Sequence, residues 1–215
     1  MSEKLGGQNE QFGPAYFEVL KRDSHELHDR LQEEHALILR LMSPKKGDRI
    51  LDIGCGKGRL EQLLTALEPS VDMVSSDVTD EARKYIRGSF VRCSMTSMPF
   101  EDDSFDKIFC LHVIAHFEDG ISGIGEAFRI LKPGGSLMIL TPNKLYVWFS
   151  YLAARFKGRR FKYDNTARWL YSSRSLKKLL GTVPWASVQY SYFQESPRTL
   201  PFEWMRAKLI AVARK

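Results

Sequence analysis

Residues 49–60 read Arg-Ile-Leu-Asp-Ile-Gly-Cys-Gly-Lys-Gly-Arg-Leu, an apolar run that ends in three alternating glycines. The run contains β-branched Ile50 and Ile53, which predict a buried strand. Leucines recur at helical spacing after the glycines and predict a helix that follows the turn. Glycine leaves no Cβ between the main chain and a ligand, and a helix N-terminus offers free N–H donors. The strand, turn and helix therefore predict a binding site for a nucleotide-like cofactor.

The spacing of the glycines and of the next acid narrows the choice of cofactor. A dinucleotide-binding turn has a third glycine where this chain has Arg59, and the Gly-Lys-Ser/Thr of a P-loop is absent. Asp77 ends the next predicted strand, where an acid accepts hydrogen bonds from both hydroxyls of a ribose. Ribose recognition without the dinucleotide pattern predicts an adenosine cofactor.

Strand and helix patterns alternate through the middle of the chain. Further strands are predicted at residues 71–77, 89–93, 105–111 and 136–141, with helices at 79–87 and 121–131 and a turn at 132–135. A helix at 174–180, capped by Ser172 or Ser173, precedes two last strands at 186–194 and 205–213. Alternation of this kind predicts parallel strands with right-handed crossovers, and the last two strands should pair antiparallel. We therefore predict an α/β doubly wound sheet of seven strands, mostly parallel, with the last strand antiparallel.

The N-terminal segment differs from the alternating part of the chain. Residues 1–13 are polar, and residues 14–42 carry the pattern of one or two amphipathic helices. We predict a tail and a helical cap over residues 1–44. Residues 45–215 then form one cofactor-binding domain, with an insertion rich in aromatic and basic residues at about 144–171.

The composition favours a protein of a reducing, cytoplasmic compartment. The apolar fraction of 43% and the charged fraction of 27% are ordinary for a globular domain. Residues 1–13 have no apolar core like that of a signal peptide, and the apolar run at 145–154 is about half as long as a membrane-spanning helix. Cys55, Cys93 and Cys110 lack C-x-x-C spacing, which argues against disulfides and a zinc site.

The positive charge of the chain is concentrated in one segment. Residues 144–178 contain ten basic residues and one acid, Asp164, and the same segment is rich in aromatic residues. One interpretation is a surface helix and loop that cover a substrate pocket. A second is peripheral contact of residues 144–160 with an anionic membrane. A third is RNA binding, and the absence of a separate RNA-binding module argues against a nucleic-acid partner.

Several stretches of the sequence, taken in order, resemble the class I S-adenosylmethionine-dependent methyltransferases. They are ILDIGCGKGRL, the strand-ending Asp77, FVRCSMTSMPFEDDSFDKIFCLHVIAHFED and EAFRILKPGGSLMILTPN. The similarity is greatest to the small branch that includes ubiquinone and menaquinone biosynthesis enzymes. It implies a Rossmann-like fold, S-adenosylmethionine as cofactor, S-adenosylhomocysteine as product, and methylation of an O, N or C nucleophile. The acceptor is expected to be a small molecule that is acidic, hydrophobic or lipid-linked.

The resemblance also implies which residues hold the amino acid end and the ribose of the cofactor. Asp52 and the loop of Gly54, Cys55 and Gly56 correspond to the residues that hold the amino acid end in the family. Asp77 corresponds to the acid that binds the ribose hydroxyls.

For the adenine and methionine parts the resemblance implies four more residues. Val78 would lie beside the adenine, Ser94 and Met95 at its edge, and Leu111 along the methionine portion. The family usually has an aspartate where this chain has Ser94. A hydroxyl accepts from the adenine amino group without charge assistance, so a weaker or water-mediated contact is expected.

Two histidines follow the fourth predicted strand, at the sheet edge where ligands bind in open α/β folds. In neutral form His116, or as the second candidate His112, could take a proton from a hydroxyl or amine nucleophile. Neither has an acid or histidine nearby that would complete a metal site, so no metal is expected. The competing hypotheses are a non-catalytic protein that binds an adenosyl ligand and an RNA methyltransferase; the oligomeric state is left open.

Overall fold

The computed structural model of the protein describes residue 34 and residues 36–160, 166–193 and 207–215. Its seven strands are β1 (Arg49–Ile53), β2 (Asp72–Asp77), β3 (Ser89–Arg92), β4 (Phe105–Leu111), β5 (Leu131–Pro142), β6 (Ser187–Phe193) and β7 (Lys208–Arg214). Its described helices are α1 (residues 36–42), α2 (Arg59–Leu67), α3 (Gly120–Ile130), α4 (Lys144–Phe156) and α5 (Ser173–Leu180). Two 3₁₀ turns lie at Ala82–Tyr85 and Ile114–His116.

All seven strands form one sheet in the order β3-β2-β1-β4-β5-β7-β6. The pairs from β3 to β5 are parallel, whereas β7 is antiparallel to both β5 and β6. This confirms the predicted doubly wound, Rossmann-like sheet with its antiparallel last strand. The chain winds one way from β1 to β3 and the other way from β4 onward, so the crevice beside the carboxyl ends of β1 and β4 is the switch point where such folds bind ligands.

The sheet is covered on both faces, because its central strands are apolar on both sides. On one face, Ile38 and Met42 of α1 and Leu60 and Leu64 of α2 pack on residues that include Phe109. On the other face, α3 and α5 cover a larger core of alternating residues from β1, β2, β4, β5 and β7. Helices on both faces hold the strand ends, and therefore the switch point, in a fixed position.

The predicted caps of α5 are confirmed in the structure. Ser172 is the N-cap, and its hydroxyl accepts a hydrogen bond from the backbone N of Ser175 at 3.2 Å, while the Ser175 side chain accepts one from Ser172 N at 2.9 Å. This reciprocal pair is a capping box, which satisfies donors that the first turn of a helix leaves free. The helix ends at Leu180, followed by Gly181.

Two local predictions were wrong. Residues 79–87 were predicted to be a helix, but only Ala82–Tyr85 form a 3₁₀ turn. The segment 132–135 was predicted to be a turn before a strand at 136, but β5 already begins at Leu131. The reason is tertiary pairing. Gly134 N donates to the carbonyl of Lys215 at 2.8 Å, and Lys215 N donates to Gly135 at 3.1 Å, so the C-terminal residue extends the ladder.

Most of the predicted cap, residues 1–33, lies outside the described residues, as do residues 161–165 of the predicted insertion. Its described end is α1, which packs on the same face of the sheet as α2. In the described parts of the chain, no helix has the length and apolar character needed to span a bilayer.

Candidate functional site

The glycine turn after β1 has three residues in the left-handed region of backbone conformation. The φ angles are +68° at Gly54, +51° at Gly56 and +66° at Gly58, values that L-residues with a Cβ adopt at a cost. Cys55 N donates to the carbonyl of Ser76 at 2.9 Å and so ties the turn to the end of β2. Three positive φ angles within five residues explain why this turn is built from glycine.

The three glycines face different surroundings. A Cβ on Gly54 would lie 2.3 Å from Cγ2 of Val113, and one on Gly58 would lie 2.6 Å from Cδ1 of Ile86. A Cβ on Gly56 would meet no atom of the described residues within 4 Å. Gly54 and Gly58 are therefore needed for close packing within the protein, whereas Gly56 leaves backbone exposed to open space, as a cradle for a ligand requires.

Asp77 lies at the carboxyl end of β2 with its carboxylate held by the main chain. Oδ2 accepts a hydrogen bond from Gly56 N at 3.1 Å, and Oδ1 accepts one from Thr79 N at 3.1 Å. Burial raises the pKa of this carboxyl, while bonds from backbone N–H groups, led by that of Gly56, act in the opposite direction. Two carboxylate oxygens offer about four acceptor positions, so the oriented group keeps capacity for a further donor.

Asp52 is a deeply buried acid of the site, with 3% of its surface exposed. Within the described part of the chain, no hydrogen bond reaches its side-chain oxygens. Burial, together with the negative charges of Asp77 and Glu61, raises its pKa well above the ordinary value. A buried carboxyl of this kind is costly unless a donor or a cation meets it, and a cationic ligand at the switch point would do so.

The residues predicted for the adenine side follow β2 and β3 but differ in exposure. Val78 is buried, and Ser94 is half-buried with its hydroxyl 2.9 Å from Oγ1 of Thr96. Met95 is 2% exposed, and its side chain packs against Gly123 of α3, where an added Cβ would lie 2.7 Å from Cε. The Met95 side chain thus belongs to the core, which leaves its backbone as the part that a ligand could contact.

His112 follows β4 in a strained and well-anchored position. Its φ is +62°, a left-handed value, and its backbone N donates to the carbonyl of Leu140 at 2.7 Å. The preceding residue, Leu111, is half-buried. Non-glycine residues in this conformation persist where the surrounding structure fixes them and are common at functional sites.

A buried carboxylate holds the ring of His112. Nε2 lies 3.1 Å from Oε1 of Glu34, which is 3% exposed and also binds Nζ of Lys208. Burial alone would raise the pKa of Glu34, but the hydrogen bonds and positive charges of His112 and Lys208 outweigh it and lower the pKa to about 2. When Nε2–H donates to Glu34, the lone pair lies on Nδ1, the arrangement of a carboxylate-oriented base.

His116 ends the 3₁₀ turn that follows. Its backbone N donates to the carbonyl of Val113 at 2.9 Å, and its Nδ1 is buried. Trp169 N donates to the carbonyl of Ala115 at 2.9 Å, so the end of the aromatic segment is attached to the same turn. The structure therefore brings both predicted histidines to the edge beside the glycine turn, since Val113 between them fills the space that Gly54 leaves.

Three site residues were missed by the sequence reasoning. Glu34 shares a helical stripe with Ile38 and Met42, and Lys208 alternates with Ile210 and Val212, so each is a charged residue on an apolar face. That mismatch was a usable signal. Thr141, at the end of β5, is fully buried, and in the described part of the chain its hydroxyl has no hydrogen-bond partner; a threonine in a strand gives no such signal.

Comparison with known proteins places this geometry in a family. A family described as "Methyltransferase domain" matches residues 24–188, which is most of the chain. A demethylmenaquinone methyltransferase of Clavibacter sepedonicus is 29% identical over 182 residues, covering 78% of this chain and 67% of that protein. The mouse protein named "Probable tRNA methyltransferase 9B" is 36% identical over 134 residues, covering 60% of this chain but 27% of the mouse protein.

Solved structures share the fold. A SAM-dependent methyltransferase from Archaeoglobus fulgidus superposes with a TM-score of 0.67 at 17% identity, covering 86% of this chain and 94% of that one. A Haemonchus contortus phosphoethanolamine N-methyltransferase, solved with phosphomonomethylethanolamine and S-adenosylhomocysteine, superposes with a TM-score of 0.63 at 17% identity, covering 85% and 52%. The buried acids and the open face at Gly56 suit the adenosyl ligand of such proteins. The chain belongs to the class I S-adenosylmethionine-dependent methyltransferase family, whose cofactor is S-adenosylmethionine.

Proposed function

We propose that this protein transfers a methyl group from S-adenosylmethionine to an O, N or C nucleophile of a small molecule. The observation that carries the proposal is the setting of Gly56: an added Cβ would meet no atom of the described residues within 4 Å, and its N–H holds the carboxylate of Asp77 at 3.1 Å. S-adenosylmethionine supplies a methyl group on a positively charged sulfur, from which it is displaced in line. The protein then has to hold both partners, orient the nucleophile and exclude water.

Asp52 and the loop of Gly54, Cys55 and Gly56 would hold the amino acid end of the cofactor. The ammonium group there is a cation. In the described part of the protein, the buried Asp52 carboxyl has no cationic partner. A charge-assisted hydrogen bond to that group would be strong in this buried place. Asp77 would accept from the ribose hydroxyls, since its orientation is already set by Gly56 N and Thr79 N.

Val78 would lie against the adenine, and the Ser94 hydroxyl and the Met95 backbone would meet its edge. Leu111 would line the methionine portion at the end of β4. Because the Ser94 hydroxyl already bonds Thr96 at 2.9 Å, its contact with an adenine amino group would be weaker than that of a carboxylate.

His112 or His116 would take the proton from the acceptor. The orientation of His112 by Glu34 favours His112, because a carboxylate that accepts from one ring nitrogen fixes the tautomer and leaves the other nitrogen basic. Asp77 and Asp52 would meet the cofactor on the β1 and β2 side of the crevice, and the histidines lie on the β4 side. The two partners of a displacement would thus approach from opposite sides of one crevice.

The acceptor side would be built by the cap of residues 1–44 and the insertion at about 144–171. Trp169 N bonds the turn that ends at His116, and Lys144 N bonds the carbonyl of Tyr171 at 2.8 Å, so both ends of the insertion return to this edge. The excess of basic over acidic residues in that segment supports an acidic or lipid-linked acceptor and peripheral contact with a membrane. The relatives are named for quinone and tRNA acceptors, so their names do not identify the acceptor of this protein.

Calorimetric titration with S-adenosylmethionine tests the cofactor site. Wild-type protein should bind, and Asp77→Ala should bind at least about tenfold more weakly, as for the loss of a hydrogen bond to a charged group. Asp80→Ala is the control, because Asp80 is exposed and pairs with Arg92 on the outside of the same loop. Lack of binding by the wild type, or equal binding by Asp77→Ala, would refute the assignment.

Transfer of a labelled methyl group to a metabolite extract tests catalysis separately. Incorporation that depends on the protein and that S-adenosylhomocysteine inhibits supports the proposal. Binding of S-adenosylmethionine without incorporation into any small-molecule fraction would instead identify a non-catalytic adenosyl-binding protein, and incorporation into RNA alone would identify an RNA methyltransferase.

A further inference from the structure

The end of α4 folds the chain back on itself in a defined geometry. Gly158, with φ +62°, donates its N–H to the carbonyl of Arg155 at 3.1 Å, and Arg159 N donates to Ala154 at 2.9 Å. These two bonds, with a left-handed glycine between them, make a Schellman motif. The motif reverses the chain direction, so Arg159 and Arg160 return beside the last turn of the helix.

Beside the reversal lies an open cavity lined by arginines. Its volume is about 430 Å³, and its lining residues are Tyr151, Arg155, Gly158, Arg159 and Arg160. Over residues 144–160 the sequence has no aspartate or glutamate, and in the described parts of the protein none of the three guanidinium groups forms an ion pair. Three cations around one cavity repel each other unless an anion joins them, and guanidinium is well matched to the oxygens of a phosphate.

Beside the cavity, α4 exposes bulky apolar side chains. Phe156 is 89% exposed, Trp148 is 54% exposed, and Trp148 packs edge-on against Phe149 with ring centroids 4.8 Å apart. Trp148, Leu152 and Phe156 are spaced four residues apart and form one stripe along the helix, next to the stripe of Tyr151 and Arg155. None of the residues of α4 is fully buried. A solvent-facing helix with an aromatic stripe and cations beside it has the layout of an interfacial helix.

We propose that the arginine-lined cavity binds the phosphate group of anionic phospholipid headgroups, with Trp148 and Phe156 inserted among the lipid chains beside it. The cavity lies at the far end of α4, about 20 Å along the helix from the sheet edge that carries the cofactor residues. It is a separate site, so the inference goes beyond methyl transfer and does not depend on it. Docking there would hold the sheet edge close to a membrane, where a lipid-linked acceptor would be available.

Charge and shape favour lipid over RNA as the source of the phosphate. RNA binding of this kind uses cations spread along a groove, with aromatic rings placed between them to stack on bases. Here three arginines gather at one end of the helix with only Tyr151 among them, and the exposed Trp148 and Phe156 lie on the neighbouring stripe. Separation of an apolar stripe from a cationic end suits insertion into a bilayer surface with the charges at headgroup level.

Sedimentation of the 215-residue chain with vesicles tests the proposal. The probes are phosphatidylcholine alone and phosphatidylcholine mixed with phosphatidylserine, each at low and high salt. Wild type should sediment with the anionic vesicles only, and less at high salt. The triple variant R155Q/R159Q/R160Q should partition roughly a hundredfold more weakly, because each basic residue near an anionic surface contributes about fivefold. W148S/F156S should also bind more weakly but keep the salt dependence of the wild type, because its three arginines remain.

The matched control is R40Q/K45Q/K46Q, which removes the same charge from exposed positions in α1 and the loop before β1, at the opposite edge of the sheet. It should bind vesicles like the wild type, and all variants should keep S-adenosylhomocysteine binding as proof of folding. Equal loss in this control would show charge attraction without a site and would overturn the proposal. Absence of binding to anionic vesicles would also overturn the proposal. This holds whether or not the protein binds tRNA through the same three arginines.

Discussion

The imidazole of His112, whose side chain is 40% exposed, pairs with the buried carboxylate of Glu34, with Nε2 3.1 Å from Oε1. Glu34 also binds Lys208, so the chain just before α1, the turn after β4 and the start of β7 meet at one carboxylate. This contact attaches the described end of the N-terminal segment to the candidate site. It also provides the orientation that a histidine base needs.

Substitution of Glu34 by glutamine should destabilise the fold in a way that depends on pH. The pKa of Glu34 is lowered to about 2 from an ordinary value near 4.5, so its ionised form stabilises the native state by about 3 kcal/mol. Because the folded pKa is the lower one, this contribution is complete above about pH 4.5 and is lost as the pH falls toward 2. Urea unfolding of both proteins across this range measures the difference.

Glu101→Gln is the control for Glu34→Gln, because Glu101 is exposed. It should change the free energy of unfolding by less than about 0.5 kcal/mol at every pH. If Glu34→Gln were as stable as the wild type at neutral pH, the pair would not contribute to the fold. Should the two proteins differ equally at pH 2 and pH 6, the effect would come from packing and not from charge.

Replacement of His112 by asparagine tests the base while keeping the backbone. Asparagine tolerates positive φ better than most residues, so the +62° conformation is preserved, but its amide cannot accept a proton. We expect binding of S-adenosylhomocysteine to be unchanged and incorporation of labelled methyl to fall by about 10² or more. His116→Asn is measured beside it. A larger loss for His116→Asn would move the base to that residue, and normal activity in both would exclude a histidine base.

Much of this architecture follows from local sequence patterns. The strand, glycine turn and helix at 49–67 and the capped helix at Ser173–Leu180 have their determinants within a few residues of each other. The order of the alternating elements then leaves few topologies, because parallel crossovers are right-handed. Asp77 was placed beside the glycine turn for the same reason: the carboxyl ends of neighbouring parallel strands lie at one edge.

The contacts that escaped prediction join distant parts of the chain. Lys208 and Glu34 are 174 residues apart, and the extension of β5 through Gly134 depends on Lys215 at the C-terminus. Sequence periodicity records which face a residue occupies but not which residue meets it. It also gave no means to distinguish Gly54, which makes room for Val113, from Gly56, which faces open space.

Alanine should therefore destabilise the fold more at Gly54 than at Gly56, and should weaken cofactor binding directly at Gly56. Both residues have positive φ, which costs any L-residue about 1–2 kcal/mol. Gly54→Ala adds a clash at 2.3 Å with Val113 and should lose a further 1–3 kcal/mol or so. Gly56→Ala meets no atom of the residues that the structure describes, so it should fold with the smaller loss. It should bind S-adenosylhomocysteine at least about tenfold more weakly, since its methyl group projects into the cradle.

Gly47→Ala isolates the backbone cost, because Gly47 has φ +80° and nothing within 4 Å of an added Cβ. Its free energy of unfolding should match that of Gly56→Ala, while its affinity for S-adenosylhomocysteine stays normal. Thermal unfolding and calorimetry measure the two quantities. Unchanged affinity in Gly56→Ala would show that its open face is not where the cofactor lies.

Replacement of Asp52 by asparagine should make the unliganded protein more stable and should lower its affinity for the cofactor. Burial and the charges of Asp77 and Glu61 raise the pKa of Asp52, so its ionised form opposes folding. The native state of the wild type therefore loses stability as the pH rises above about 4, whereas Asp52→Asn does not, and at neutral pH the variant should gain about 1 kcal/mol. Loss of the charge-assisted bond to the cofactor ammonium should weaken S-adenosylhomocysteine binding by about ten- to a hundredfold.

The same substitution at Asp72 provides the comparison for Asp52→Asn. Asp72 begins the neighbouring strand β2 at the far edge of the sheet and forms an exposed pair with Arg49 at 3.3 Å. Asp72→Asn should alter stability by less than about 1 kcal/mol and leave cofactor binding intact, since exposed pairs contribute little.

A stabilised Asp52→Asn that binds normally would mean that the carboxyl does not meet the cofactor. A destabilised one would mean that the carboxylate already has a donor in the folded protein. Stability gained and affinity lost together would show that the cofactor cation compensates a charge that the unliganded fold buries at a cost.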